Sequence, residues 1–182
     1  MKTKIVLASL AMGMSANVAA KSISYNATEC VQRSVTPAEV TLKYRHMSSS
    51  SIENTTNQNI SVYCPINLAQ NITIESVDAY FNLASKDPSA SAACTLEIRG
   101  MANPAVKLSK TSGVFEGFSR LTMRPADDYE TRLLHYQNSY ASRGDAVSAH
   151  LNCTIPRVSD EALNGPYGFT RLSGYVVNYA PL

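Results

Sequence analysis

The 182-residue sequence contains no tryptophan and only three histidines, and Asp, Glu, Lys and Arg together make up just 16% of it. The formal net charge is +2. Proteins that hold nucleic acid mainly through its phosphates need a clear basic excess, so that class is excluded. The four cysteines form no CxxC half-site, and no histidine stands at ligand spacing to them, so a zinc site lacks a ligand set. Walker, GxGxxG, HExxH, GxSxG and EF-hand patterns are all missing, and no cofactor is implied. Beyond residue 20 no apolar run approaches the roughly 20 residues of a spanning helix. No βαβ rhythm, internal repeat or low-complexity linker divides the chain. A hydrophobic content of 45% also speaks against wholesale disorder.

What is present begins with a leader. Lys2 and Lys4 form a basic start, Ile5 to Met14 is apolar apart from Ser9 and Gly13, and Asn17-Val18-Ala19-Ala20 offers small residues for cleavage. This is the layout of a secretory signal peptide over residues 1–20, and the apolar stretch is too short for a membrane anchor. Asn26-Ala27-Thr28-Glu29 before Cys30 is not a lipobox, which argues against a lipid anchor on that cysteine. Residues 21–182 then form one domain that is secreted or periplasmic. Taking those twenty residues from 182 leaves 162, and losing Lys2 and Lys4 leaves fourteen basic residues against fourteen acidic ones. A chain of that length can bury about 70% of its unfolded surface.

Period-two alternation recurs along the domain and marks half-buried strands. Val40, Leu42 and Tyr44 alternate with polar residues, as do Ile60, Val62 and Cys64, then Val77, Ala79, Phe81 and Leu83, then Cys94, Leu96 and Ile98. The longest clean case is Val147, Ala149, Leu151, Cys153 and Ile155. A further strand is expected around Phe115–Met123 and a closing one over Phe169–Tyr179. Polar loops and turn residues separate them at 47–57, 86–91, 100–104, 143–145 and 164–166. Seven or eight such strands predict an all-β fold, an antiparallel β-sandwich. One segment breaks the pattern: Tyr129, Leu133, Tyr136 and Tyr140 recur at helical spacing, with Asp127 or Asp128 placed to cap. A short helix or an ordered excursion is expected over 127–142, with a strand as the alternative.

An even cysteine count behind a secretory signal reads as two disulfides, with three pairings open. Cys64, Cys94 and Cys153 share faces with aliphatic neighbours, so their sulfurs point into the core. Parity therefore favours Cys94–Cys153 between two core strands and Cys30–Cys64 tying the first segment to the strand that carries Cys64.

The strings Tyr63-Cys64-Pro65-Ile66, Cys94-Thr95-Leu96, Leu151-Asn152-Cys153-Thr154-Ile155-Pro156 and Leu172-Ser173-Gly174-Tyr175-Val176-Val177 together look familiar. In that order they resemble a broad group of small secreted bacterial proteins with four cysteines. The resemblance implies export, disulfides and a β-sandwich; it brings no catalytic or binding residue. The chain departs from the group's pattern in the longer segment 127–145.

Chemistry is sparse. His150 alternates outward on its strand and reads as a surface histidine; His46 and His135 have no partner motif. Asp127-Asp128 and Asp160-Glu161 are sequence neighbours, which do not face each other across a substrate. Binding is the remaining reading. Tyrosine and arginine are favoured at recognition surfaces, and Tyr129, Arg132, His135, Tyr136, Tyr140 and Arg143 form their densest cluster. Sequons at Asn26, Asn54, Asn59, Asn71 and Asn152 are read as chance occurrences. The expectation is a non-enzymatic binding or structural protein of the bacterial periplasm or extracellular space. Its partner would be a protein or glycan of the cell envelope or outside it. The alternatives are a periplasmic inhibitor or immunity protein that blocks a toxin or cell-wall hydrolase, and a small hydrolase with an unrecognised site.

Overall fold

Alternating apolar and polar residues turn one face of each strand toward oil and the other toward water, and two such sheets bury their apolar faces against each other. A computed structural model of the chain shows this arrangement. It describes residues 21–33, 44–46, 51–56, 58–67, 72–83, 91–100, 106–112, 117–124, 147–158 and 170–181. Among them are eleven strands: β1 Lys21–Asn26, β2 Val31–Gln32, β3 Tyr44–His46, β4 Ile52–Asn54, β5 Ile60–Ile66, β6 Ile72–Leu83, β7 Ala93–Gly100, β8 Val106–Thr111, β9 Gly117–Met123, β10 Val147–Ile155 and β11 Thr170–Pro181. The one helical element among the described residues is a single 3-10 turn, Ala27–Glu29.

The strands form two antiparallel sheets. The first runs β3-β4-β11-β6-β9, and the second runs β2-β5-β10-β7-β8. In the first, β6 occupies one edge of β11 along most of its length. The other edge of β11 is shared, by β4 opposite Thr170–Leu172 and by β1 opposite Gly174–Tyr179. The inward side chains of both sheets make one core cluster, including Phe81, Leu121, Met123, Leu172, Tyr175 and Val177 from the first and Ile60, Val62, Leu96, Ile98, Leu151 and Ile155 from the second.

Strand number exceeds the seven or eight expected because β1, β2, β4 and β8 are short or largely polar, with too little alternation to stand out. Elsewhere the inward residues are those the alternation indicated: Val77, Ala79, Phe81 and Leu83 are all buried, as are Ala149, Leu151, Cys153 and Ile155. Bulges account for breaks in parity. The register between β11 and β6 shifts between Leu172 and Gly174, and again between Asn178 and Tyr179. Inward positions accordingly pass from Leu172 to Tyr175 and Val177 on β11, and from Ile74 to Val77 on β6. Beside the first bulge the chains run very close. A Cβ on Gly174 would stand 2.7 Å from the carbonyl oxygen of Tyr25, so only glycine fits.

Both disulfides have the expected pairing, Cys30–Cys64 and Cys94–Cys153. Cys94 and Cys153 are direct register partners on β7 and β10. Val31 pairs with Tyr63, which sets Cys30 beside Cys64 one step along. Both bridges therefore lie on the core side of the second sheet. A polar tie joins the two sheets at one end: the buried Asn54 of β4 donates through Nδ2 to the carbonyls of Ile155 at 3.2 Å and Pro156 at 3.0 Å. That burial closes the Asn54 sequon to a glycan.

Candidate functional site

Cross-strand register decides which outward residues meet on the second sheet. Val31 pairs with Tyr63, Tyr63 with Asn152, Asn152 with Thr95 and Thr95 with Ser109, so one outward row crosses all five strands. The next row runs Pro65, His150, Glu97, Lys107. Beyond it Ser148 pairs with Arg99. A concavity of about 540 Å³ opens over this part of the sheet. Tyr63, His150, Glu97, Arg99, Asn152 and Arg33 contribute to its lining.

Glu97 is the electrostatic centre. It is only 4% exposed, although it lies on the outer face. Such a carboxylate must be paired, because burying an uncompensated charge is costly. Arg99 supplies both Nε and Nη2 to Oε1, each at 2.6 Å. On the other oxygen, Lys107 Nζ stands 3.8 Å away and His150 Nε2 3.5 Å away. Burial alone would raise the Glu97 carboxyl. The Arg99 hydrogen bond and charge, with His150 and Lys107, outweigh it and hold the group below the usual carboxylate range.

His150 corrects the sequence reading. It does alternate outward, yet it is buried at 8% exposure. Its ring lies against that of Tyr63, with centroids 4.5 Å apart and planes tilted by 30°. Alternation tells which face a residue occupies, but neighbouring large side chains decide whether water reaches it. Among the described residues, Nδ1 of His150 is buried without a hydrogen-bond partner. A proton there would have no acceptor, so the neutral ring fits the site. Burial pulls the imidazole below its ordinary value against the Glu97 carboxylate, and Arg99 and Arg33 add to the lowering. With Nε2 facing Glu97 and Nδ1 unpartnered, neither nitrogen holds a hydroxyl of the described residues as a nucleophile's base would.

The outer face of the first sheet carries a different arrangement. Thr122 donates to Asp78 at 2.5 Å, and Asn178 donates to both Ser76 and Asp78. Nearby Phe118 is 71% exposed and stacks on Tyr80 at 5.7 Å.

The residues singled out from sequence, Tyr129, Arg132, His135, Tyr136, Tyr140 and Arg143, lie outside the described residues, as does the whole 127–142 segment. Of the other two histidines, His46 takes part in β3 by backbone register with Ile52, and His135 lies outside the described residues. Among the described residues no group of three or more His, Cys, Asp or Glu is placed to hold a metal ion. No described helix is long and apolar enough to cross a membrane.

No family model matches the sequence, and no curated protein matches it. Solved structures with a similar arrangement include a xylan-binding module, at 7% identity and a TM-score of 0.41 over 90% of this chain and 99% of that one. A carbohydrate-binding module in complex with β-1,4-galactotriose matches at 6% identity and 0.37, over 90% of this chain and 87% of its own. A third, a carbohydrate-binding module that recognises mannan, matches at 6% identity and 0.39, over 89% and 96%. The likeness is one of β-sandwich architecture alone.

Proposed function

We propose that this chain is an exported, non-catalytic binding protein that holds a glycan on the outer face of its second sheet. The observation that carries the proposal is the concavity itself, built from residues of four neighbouring strands and the segment just after β2. Its volume, about 540 Å³, falls within the usual range for small-ligand sites. Its lining is mainly hydrogen-bonding: Gln32, Ser148 and Asn152 supply amide and hydroxyl groups, Tyr63 a ring and a phenol, and Val31 an exposed aliphatic surface. A hydroxylated sugar ring, polar at its rim and apolar on its face, suits that mixture. A stable protein partner needs a broader contact, about 800 Å² a side, with an apolar centre. Export is supported by the leader pattern of residues 1–20 together with two disulfides, which persist in oxidising compartments.

The test is affinity electrophoresis against immobilised bacterial and plant polysaccharides, with Asn152→Ala and Tyr63→Ala as the site variants. Retardation of the native protein, lost in both variants while the far-UV spectrum is kept, is the expected result. Retardation that persists in both variants but disappears in the triple variant Arg132→Ala, Tyr136→Ala, Tyr140→Ala would move the site to the tyrosine-rich segment.

A further inference from the structure

The charges around the concavity are unequal in their availability. Among the described residues of the lining Glu97 is the one carboxylate, and its side chain is only 6% exposed. Both of its oxygens are already engaged, Oε1 by Arg99 and Oε2 by Lys107 and His150. Its negative charge is spent inside the sheet. The cations are placed differently. Arg99 and Lys107 each keep 60% of their side-chain surface exposed. Arg33, also in the lining, is exposed, and its backbone N–H is held by the carbonyl of Ser61 at 2.9 Å. Among the described residues, Arg33 and Arg99 in the lining, with Lys107 beside Glu97, outnumber that one carboxylate and leave an excess of positive charge at the concavity.

Arg99 is also held in position. Its Nε and Nη2 are both spent on Glu97, which fixes the plane of the guanidinium and leaves the remaining N–H groups for something beyond the sheet. A planar guanidinium fixed in orientation matches a planar carboxylate better than it matches a hydroxyl.

We infer that the ligand of this face is an acidic saccharide, its sugar carboxylate received between Arg33 and Arg99 while Asn152, Gln32 and Tyr63 meet the ring. This inference rests on the glycan-binding reading above and narrows it to uronic-acid-containing chains. Buried Glu97 acts as the positioning residue for Arg99, and Lys107 lends charge from the neighbouring strand. No bond is made or broken in the site.

Calorimetric titration of the full chain tests this with three probe sets. The first is a panel of uronic-acid oligosaccharides: oligogalacturonate, oligomannuronate, oligoguluronate and hyaluronan fragments. The second is the same chains with their carboxyls methyl-esterified, together with neutral galactan and xylan oligosaccharides. The third is poly-glutamate, which offers carboxylates without sugar. The expected result is binding to at least one acidic chain, weakened about tenfold or more by esterification. Added salt should weaken it, poly-glutamate should not bind, and Arg33→Gln should reduce it to a similar degree. The Arg33 variant keeps the backbone bond to Ser61, so the fold stays as a control. Equal binding of esterified or neutral chains would overturn the acidic inference and leave the glycan reading standing. Equal binding of poly-glutamate would overturn it in favour of a general anion surface. Failure of every saccharide to bind would overturn both.

Discussion

The rings of Tyr25 and Tyr175 lie parallel, with centroids 4.8 Å apart and 4° between their planes. They are register partners on β1 and β11, and both are buried. Each hydroxyl crosses to the end of β5 in the other sheet. Tyr25 donates to the carbonyl of Asn67 at 2.9 Å, and Tyr175 donates to the carbonyl of Pro65. The pair therefore joins the two sheets by an apolar stack and two hydrogen bonds at once.

Replacing Tyr175 with Phe keeps the stack but leaves the Pro65 carbonyl without its donor. A loss of about 1–2 kcal/mol in urea unfolding is expected. Burial raises the phenols of both tyrosines above their ordinary range. The unfolded chain therefore releases these protons first as pH climbs, and stability falls above about pH 10. In Tyr175→Phe that alkaline decline should be shallower. An unchanged slope would mean that Tyr175 is not held neutral by the fold.

Acid should weaken the fold in two steps. His150 lies below its ordinary value of 6.5, so the unfolded chain takes up that proton first. Its contribution is complete above about pH 6.5 and is lost as pH falls from there toward the folded value. Glu97 lies below its ordinary 4.5, so its contribution is complete above that and is lost as pH falls through its folded value. Melting temperature followed from pH 8 to pH 3 should show both phases. His150→Gln should remove the upper phase and Glu97→Gln the lower. The shape of the curve is the readout, so a uniform loss of stability in either variant does not obscure it.

The disulfides should contribute similarly. They span sequence separations of 34 and 59 residues. In the chain-entropy account each loop is worth roughly 4 kcal/mol. Cys94→Ala with Cys153→Ala should lower unfolding free energy by about that much, measured in urea. Non-reducing peptide mapping of the native protein should recover Cys30 with Cys64 and Cys94 with Cys153.

Much of the fold was legible along the chain. The alternation around Leu151 and around Phe81 showed which side chains enter the core, because strand geometry sends neighbours to opposite faces whatever the tertiary context. The same parity picked the correct disulfides: cysteines that share an apolar face on core strands can become register partners. The edge strands were not legible. β1 carries only Ile23 and Tyr25 on its inward side, and β8 has Lys107 and Lys110 flanking Leu108. Strands of that kind are stabilised by a neighbour's backbone, which leaves little trace in their own residues.

The concave face was harder still. Glu97, His150, Tyr63 and Arg33 come from separate strands and the segment beside one, and none stood out. Glu97 and His150 each sit amid alternating strand residues, which was the only available signal.

By itself, then, the sequence determined the all-β class and the inward face of the cleanly alternating strands, and it favoured the observed disulfide pairing among the three open ones, since these follow from local periodicity. Tertiary structure alone decided that His150 is covered, that Glu97 is buried beside Arg99, Lys107 and the His150 ring, and that Arg33 and Arg99 border one concavity. Those facts depend on cross-strand register, which is set by pairing between segments tens of residues apart rather than by any one of them.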